Sequence, residues 1–180
     1  MEKFKKHIIS SLENTDKYIS KIDEDILNME GMTGKKTRHF YNNLCSMEDT
    51  RYLEIGSWKG SSLCSCMCNN KITCLAIDNW KFLGGPKEEF ILNFNKYKDK
   101  NIASFLESDC WNVNVTHLQL NYKFNIYMYD GNHDENSHHK ALEYYLDCLD
   151  DIFIYLVDDW NWEKVRKGTM NSINDNKLNI

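Results

Sequence analysis

The segment Tyr52-Leu-Glu-Ile-Gly-Ser-Trp-Lys-Gly60 limits what this chain can become more than any other. Apolar Tyr52, Leu53 and Ile55 make a short buried strand, Gly56 permits a sharp turn, and Gly60-Ser-Ser62 opens a helix. Strand, glycine turn and helix start together form a backbone cradle suited to a charged, nucleotide-like ligand. Around it, strand-length apolar runs at 51–56, 72–78, 102–109, 124–130 and 152–158 alternate with stretches of helical period. Helices are predicted over 4–28, 37–45, 60–68, onward from Pro86, over 137–149 and over 163–173. Such alternation predicts an α/β fold built on a doubly wound, mostly parallel sheet with right-handed crossovers.

The chain has 180 residues, enough for one domain with a substantial core. Residues 1–30 read as an N-terminal helical extension and residues 31–180 as the main domain. The net charge of -5 argues against a nucleic-acid partner, which calls for a basic stripe. No apolar run approaches the roughly 20 residues that span a bilayer, and no export signal follows the basic N-terminus, so no membrane partner is expected. Seven cysteines, an odd number without such a signal, point to a reducing, cytoplasmic setting. Cys64, Cys66 and Cys68 lack the two-residue spacing of zinc knuckles and are expected to pack in the core.

Each predicted strand carries an acid at its carboxyl end: Glu54, Asp78, Asp109, Asp130 and Asp158. That edge of a doubly wound sheet is where ligands bind. Asp78 stands about 20 residues beyond the glycine turn, where a carboxylate can accept ribose hydroxyls. The turn Gly56-x-x-x-Gly60 lacks the middle glycine that makes room for a pyrophosphate, which disfavours NAD. An adenosyl cofactor with an amino-acid tail, S-adenosylmethionine, fits better. Asp109, with Ser108 and Cys110, would then meet the adenine amino group. Trp80 and Trp111 could stack on the ring, although each reads first as core or rim packing.

Asp130-Gly-Asn-His133 and Asp158-Asp159-Trp-Asn-Trp162 follow the last two strands. Neighbouring strands lie about 5 Å apart, so Asp130, Asp158 and Asp159 can converge. Converging carboxylates repel unless a cation neutralises them, and all-oxygen ligands suit Mg²⁺, Mn²⁺ or Ca²⁺. His133, expected just outside that metal site, can act as a base near neutral pH. His138 and His139 are expected on a solvated helix face.

These motifs, with Gly31-Met-Thr-Gly-Lys-Lys-Thr-Arg-His39, Ile77-Asp-Asn-Trp80 and Gly84-Gly-Pro86, resemble class I S-adenosylmethionine-dependent methyltransferases. The likeness is to the metal-dependent O-methyltransferase branch that includes macrolide-sugar O-methyltransferases and cephalosporin-hydroxylase-like proteins, and it covers residues 31–169. It implies a Rossmann-like sheet, with the chain ending too soon for that fold's C-terminal antiparallel strand pair. It implies Glu54, Gly56 and Gly60 around the cofactor's methionine end, Ser62 at its carboxylate and Trp58 near the sulfonium. It also implies Asp78 at the ribose, Asp109 at adenine, Mg²⁺ or Mn²⁺ on Asp130, Asp158 and Asp159, and His133 as general base. The implied activity is methylation of a hydroxyl on a small molecule, sugar or glycan. A homodimer is compatible with this reading, and the alternative is a non-catalytic, shortened binding module.

Overall fold

A computed structural model describes residues 1–118 and 120–180. Five strands, β1 (Arg51–Ile55), β2 (Thr73–Asp78), β3 (Ile102–Glu107), β4 (Phe124–Tyr129) and β5 (Leu149–Val157), form one sheet ordered β3-β2-β1-β4-β5. Every pairing is parallel. Seven helices among the described residues flank it: α1 (Glu2–Asp16), α2 (Glu24–Asn28), α3 (Lys35–Leu44), α4 (Ser61–Met67), α5 (Lys87–Tyr97), α6 (Glu135–Tyr145) and α7 (Glu163–Asp175). This is the α/β, Rossmann-like arrangement expected of the alternating sequence pattern. No helix is long and apolar enough to cross a membrane, among the described residues.

Strand periodicity assigns the two cores. Tyr52, Cys74, Ala76, Ile126 and Met128 face a cluster completed by Ile26 of α2, Leu44 of α3, Leu63 of α4 and Phe90 of α5. Leu53, Ile55, Leu75, Ile77, Tyr127 and Tyr129 face the other way, onto Ala141, Leu142 and Tyr145 of α6. Cys64, Cys66 and Cys68 are buried with the first cluster, and all seven cysteines are free thiols. Because side chains alternate, Glu54 shares a face with Tyr52 and points into the first core.

The single helix predicted over 4–28 is two. Tyr18 takes a left-handed φ of +56° after α1, and the Asp23 carboxylate then caps α2 by accepting the Ile26 N–H at 2.9 Å. Ile8 before the break and Ile22 and Ile26 after it pack on the same core, so the apolar period runs across the interruption. Near the other end, α6 starts at Glu135 under an Asp134 cap rather than at Ser137, and ends at Tyr145. Strand β5 accordingly begins at Leu149, three residues before the expected start. The sheet order reverses between β1 and β4, which leaves a crevice above the carboxyl ends of both strands.

Candidate functional site

A cavity of about 750 Å³ opens at that crevice, lined from all five strand ends. Its floor is the glycine turn. Gly56 has φ +86° and donates its N–H to the Ile77 carbonyl at 2.9 Å; a Cβ there would fall 2.0 Å from the Asp130 carbonyl oxygen. The next two amides, Ser57 and Trp58, donate to one oxygen of Asp78, Oδ2, at 2.8 and 2.9 Å. Asp78 Oδ1 accepts the Trp80 amide at 2.7 Å. A carboxylate offers about four acceptor positions, so three are filled and one, on Oδ1, remains.

Glu54 lies behind this floor and does not line the cavity. Its oxygens accept the Tyr52 hydroxyl at 2.6 Å and the Ser57 hydroxyl at 2.8 Å. Burial pushes its carboxyl up to about 7, against the hydrogen bonds from Tyr52, Ser57 and Ser62. Gly60 also stays off the cavity: φ is +83°, and a Cβ would touch the Phe90 ring at 3.0 Å. Its glycine character thus serves chain reversal and packing rather than the ligand approach expected of it. Gly56, Trp58, Ser62, Asp78, Asp109 and Cys110 do line the cavity.

Asp109 Oδ1 accepts the Trp111 amide at 2.9 Å and starts a short 3₁₀ turn, Cys110–Asn112. The turn carries Trp111 to the cavity wall, where Tyr144 meets it edge-on and Lys140 sits 4.4 Å over its ring. Burial raises the Cys110 thiol to about 11, so it stays protonated at neutral pH. Trp80 is 6% exposed and packs in the core, tilted against Phe90 and edge-on to Phe105, although it also touches the cavity.

The carboxyl ends of β4 and β5 carry the acids. Asp130 follows β4, its amide donating to the Ile55 carbonyl at 2.9 Å; Asp158 follows β5, its amide donating to the Tyr129 carbonyl at 3.3 Å. The parallel β4–β5 pairing therefore brings the two carboxyls together. Burial, and then the neighbouring Asp158, holds the Asp130 carboxyl well above the usual carboxylate range. His133 is inside this cluster, not just outside it. Its Nε2 lies 3.5 Å from Asp130 Oδ1, 3.6 Å from Asp159 Oδ2 and 4.0 Å from Asp158 Oδ2. Asp130, His133 and Asp158 each offer an atom within 4.8 Å of the others, a set that could hold a metal ion; Asp159 is not part of it.

The His133 ring is bounded by Trp162 at 5.5 Å and His138 at 5.7 Å between centroids. His138 is fully buried, contrary to the solvated position expected from its charged helix neighbours. It occupies the α6 face that meets Tyr129 and α7, where a Cβ on Gly168 would come within 3.0 Å of the His138 Cβ. Neither His138 ring nitrogen has a partner, and burial, then His133, lowers its pKa to about 4. His139 stays at the surface and bonds Asp175 at 2.9 Å.

Sequence reasoning gave no role to Met32 and Thr33, which line the cavity from the segment between α2 and α3. Thr33 Oγ1 accepts from Ser61 at 3.2 Å, and a Cβ on Gly31 would strike the Ser61 hydroxyl. Arg38, 3% exposed, donates to the carbonyls of Ile26, Met29 and Thr33 and so shapes this segment. The motif Gly31-Met-Thr-Gly-Lys-Lys-Thr-Arg-His39, which carries part of the family resemblance, was the available signal.

No protein-family model matches the sequence, and comparison with curated proteins finds no match. Solved structures do resemble it. A precorrin-8w decarboxylase from Methanobacterium thermoautotrophicum aligns over 88% of this chain and 82% of its own, with TM-score 0.64 and 14% identity. A TDP-rhamnose 3'-O-methyltransferase of calicheamicin biosynthesis aligns over 93% and 84%, with TM-score 0.55 and 14% identity. An O-methyltransferase from Bacillus cereus in complex with SAH aligns over 92% and 77%, with TM-score 0.55 and 12% identity. At such identities the likeness establishes the fold.

Proposed function

We propose that this chain is an S-adenosylmethionine-dependent O-methyltransferase that uses a divalent ion and acts on a hydroxyl of a small molecule or sugar. The observation that carries the reading is the meeting of Asp130, Asp158 and His133 in the same cavity that is floored by the Asp78-anchored glycine turn. Methyl-donor and acceptor sites thus share one crevice. The O-methyltransferases among the structural neighbours, one acting on TDP-rhamnose, support the same choice.

The residues present fit an ion. Buried Nε2 of His133 has no hydrogen-bond partner, and the carboxyls beside it repel one another. Asp130 and Asp158, with Asp159 and His133 beside them, would hold it; a divalent ion there supplies positive charge that favours loss of a hydroxyl proton. S-adenosylmethionine supplies a methyl on a positively charged sulfur; as the oxygen–carbon bond forms, the sulfur–carbon bond breaks to leave a neutral thioether.

The chain's own residues do the positioning. All of these line the cavity: Asp78 Oδ1 would accept from the ribose, Asp109 and Cys110 would bound the adenine end, and Trp58 and Ser62 would flank the tail. The acid cluster orients the acceptor and takes its hydroxyl proton. Holding both reactants in contact supplies much of the rate gain. A purely binding module would give no reason to gather mutually repelling acids beside the cavity.

Calorimetric titration with S-adenosylmethionine, followed by mass spectrometry of methyl transfer to a panel of vicinal diols with and without chelator, tests the reading. Heat of binding and chelator-sensitive methylation are expected. Absence of any binding heat at millimolar cofactor would remove it.

A further inference from the structure

We propose that His133 is itself a ligand of the ion, through Nε2, and that the site consequently selects Mn²⁺ over Mg²⁺. The inference rests on reading the cluster as a metal site, and it reassigns His133 from proton acceptor to ligand.

The distances carry it. Nε2 lies 3.5, 3.6 and 4.0 Å from oxygens of Asp130, Asp159 and Asp158. Each is too long for a charge-assisted hydrogen bond, which runs about 2.7–2.9 Å. Metal bonds of about 2.1 Å set adjacent ligand atoms about 3.0 Å apart and opposite ones about 4.2 Å apart. The separations from Asp130 and Asp158, the two carboxylates of the mutually close set, both fall between those limits. A ring nitrogen poised to bond a carboxylate would sit closer, and one serving only as surface would meet water. This nitrogen does neither: it is buried and lacks any hydrogen-bond partner.

Trp162 and His138 flank the ring from separate elements, at 5.5 and 5.7 Å between centroids. Charge favours the same assignment. A neutral imidazole with Asp130 and Asp158 places two negative charges on a divalent ion, whereas three carboxylates would place three. Asp159 stands outside the set of mutually close donors. Carboxylate and water suit Mg²⁺, while imidazole is a ligand of transition ions, so one nitrogen in the set shifts preference toward Mn²⁺.

The test needs neither cofactor nor acceptor. Mn²⁺ is added to the 180-residue protein, and electron spin echo modulation reads any ¹⁴N nucleus coupled to the ion. The expected spectrum shows a directly bound imidazole nitrogen that disappears in His133→Gln and persists in His138→Phe. In competition titrations, H133Q should weaken Mn²⁺ binding by at least about tenfold, the low end of what losing even an outer partner costs, and leave Mg²⁺ binding within about threefold. Mn²⁺ bound to the wild type without ¹⁴N coupling would overturn the ligand assignment while leaving the metal reading intact. No Mn²⁺ binding by the wild type would overturn both. Since the wild-type spectrum decides alone, misfolding of H133Q does not protect the proposal.

Discussion

The Ser57 backbone amide donates to Asp78 Oδ2 at 2.8 Å, so the acid that ends β2 is a structural clamp on the glycine turn after β1. The Trp58 amide shares the same oxygen. Neighbouring strands are thereby tied at the level where a cofactor would enter.

Asp78→Asn replaces one carboxylate oxygen by an N–H₂ group that cannot accept. Hydrogen bonds to charged groups are worth about 1.5–3 kcal/mol, so S-adenosylmethionine affinity should fall roughly 10- to 100-fold. Mn²⁺ affinity should hardly change, since Asp78 ends β2 while the acid cluster follows β4 and β5, with β1 between them. Paired calorimetric titrations check both halves.

Glu54→Gln should change how stability depends on pH. The Glu54 pKa is raised in the folded protein, from 4.5 to about 7, so the fold favours the protonated acid. Its stabilising contribution is complete below about pH 4.5 and is lost as pH rises through 7, a loss of order 3 kcal/mol. Gln mimics the protonated form and removes that loss. Urea titrations at pH 5 and pH 8 should show the variant gaining on the wild type at the higher pH; an equal difference at both would count against the buried-acid account.

Asp158→Ala should abolish methyl transfer and weaken Mn²⁺ binding, while S-adenosylmethionine binds within about threefold of wild type. The asymmetry follows from geometry: Asp158 makes its close contacts with Asp130 and His133, not with the glycine turn. Full activity of this variant in chelator-treated buffer is the outcome that defeats the mechanism.

His138→Phe keeps a flat ring and removes two buried nitrogens that lack partners. Leaving a buried polar group unpaired costs about 1–3 kcal/mol, so the variant should melt higher. The gain should widen in acid. His138 is depressed from 6.5 to about 4, so its contribution is present above 6.5 and lost as pH falls toward 4, and Phe has no proton to bind. Differential scanning calorimetry at pH 5 and pH 8 measures both effects.

Much of this arrangement was legible in the chain, for reasons that differ by residue. The parallel sheet was readable because β2 and β4 are nearly continuous apolar runs, as strands buried on both faces tend to be, and β1 adds Tyr52, Leu53 and Ile55. The clustering of Asp130 with Asp158 followed from strand adjacency alone. Glu54 misled because a strand-end acid looks like a ligand group until the two-residue alternation assigns it to the Tyr52 face. His138 misled in the opposite sense: charged neighbours on α6 suggested solvent, yet it falls on the buried turn of the helix beside Ala141 and Leu142. The break at Tyr18 left no glycine or proline to mark it.

Arg38 is a cation without a carboxylate partner among the described residues, met instead by carbonyl dipoles lent by Ile26, Met29, Gly31 and Thr33. Two of those lenders precede residue 31. A fragment beginning at Gly31 would therefore keep the sheet and the acids but leave a guanidinium buried against missing backbone, in a segment that walls the cavity with Met32. The first thirty residues thus act as part of the insulation of a charge. Any shortened version of this protein will need a replacement for Arg38 before it can present the same cavity.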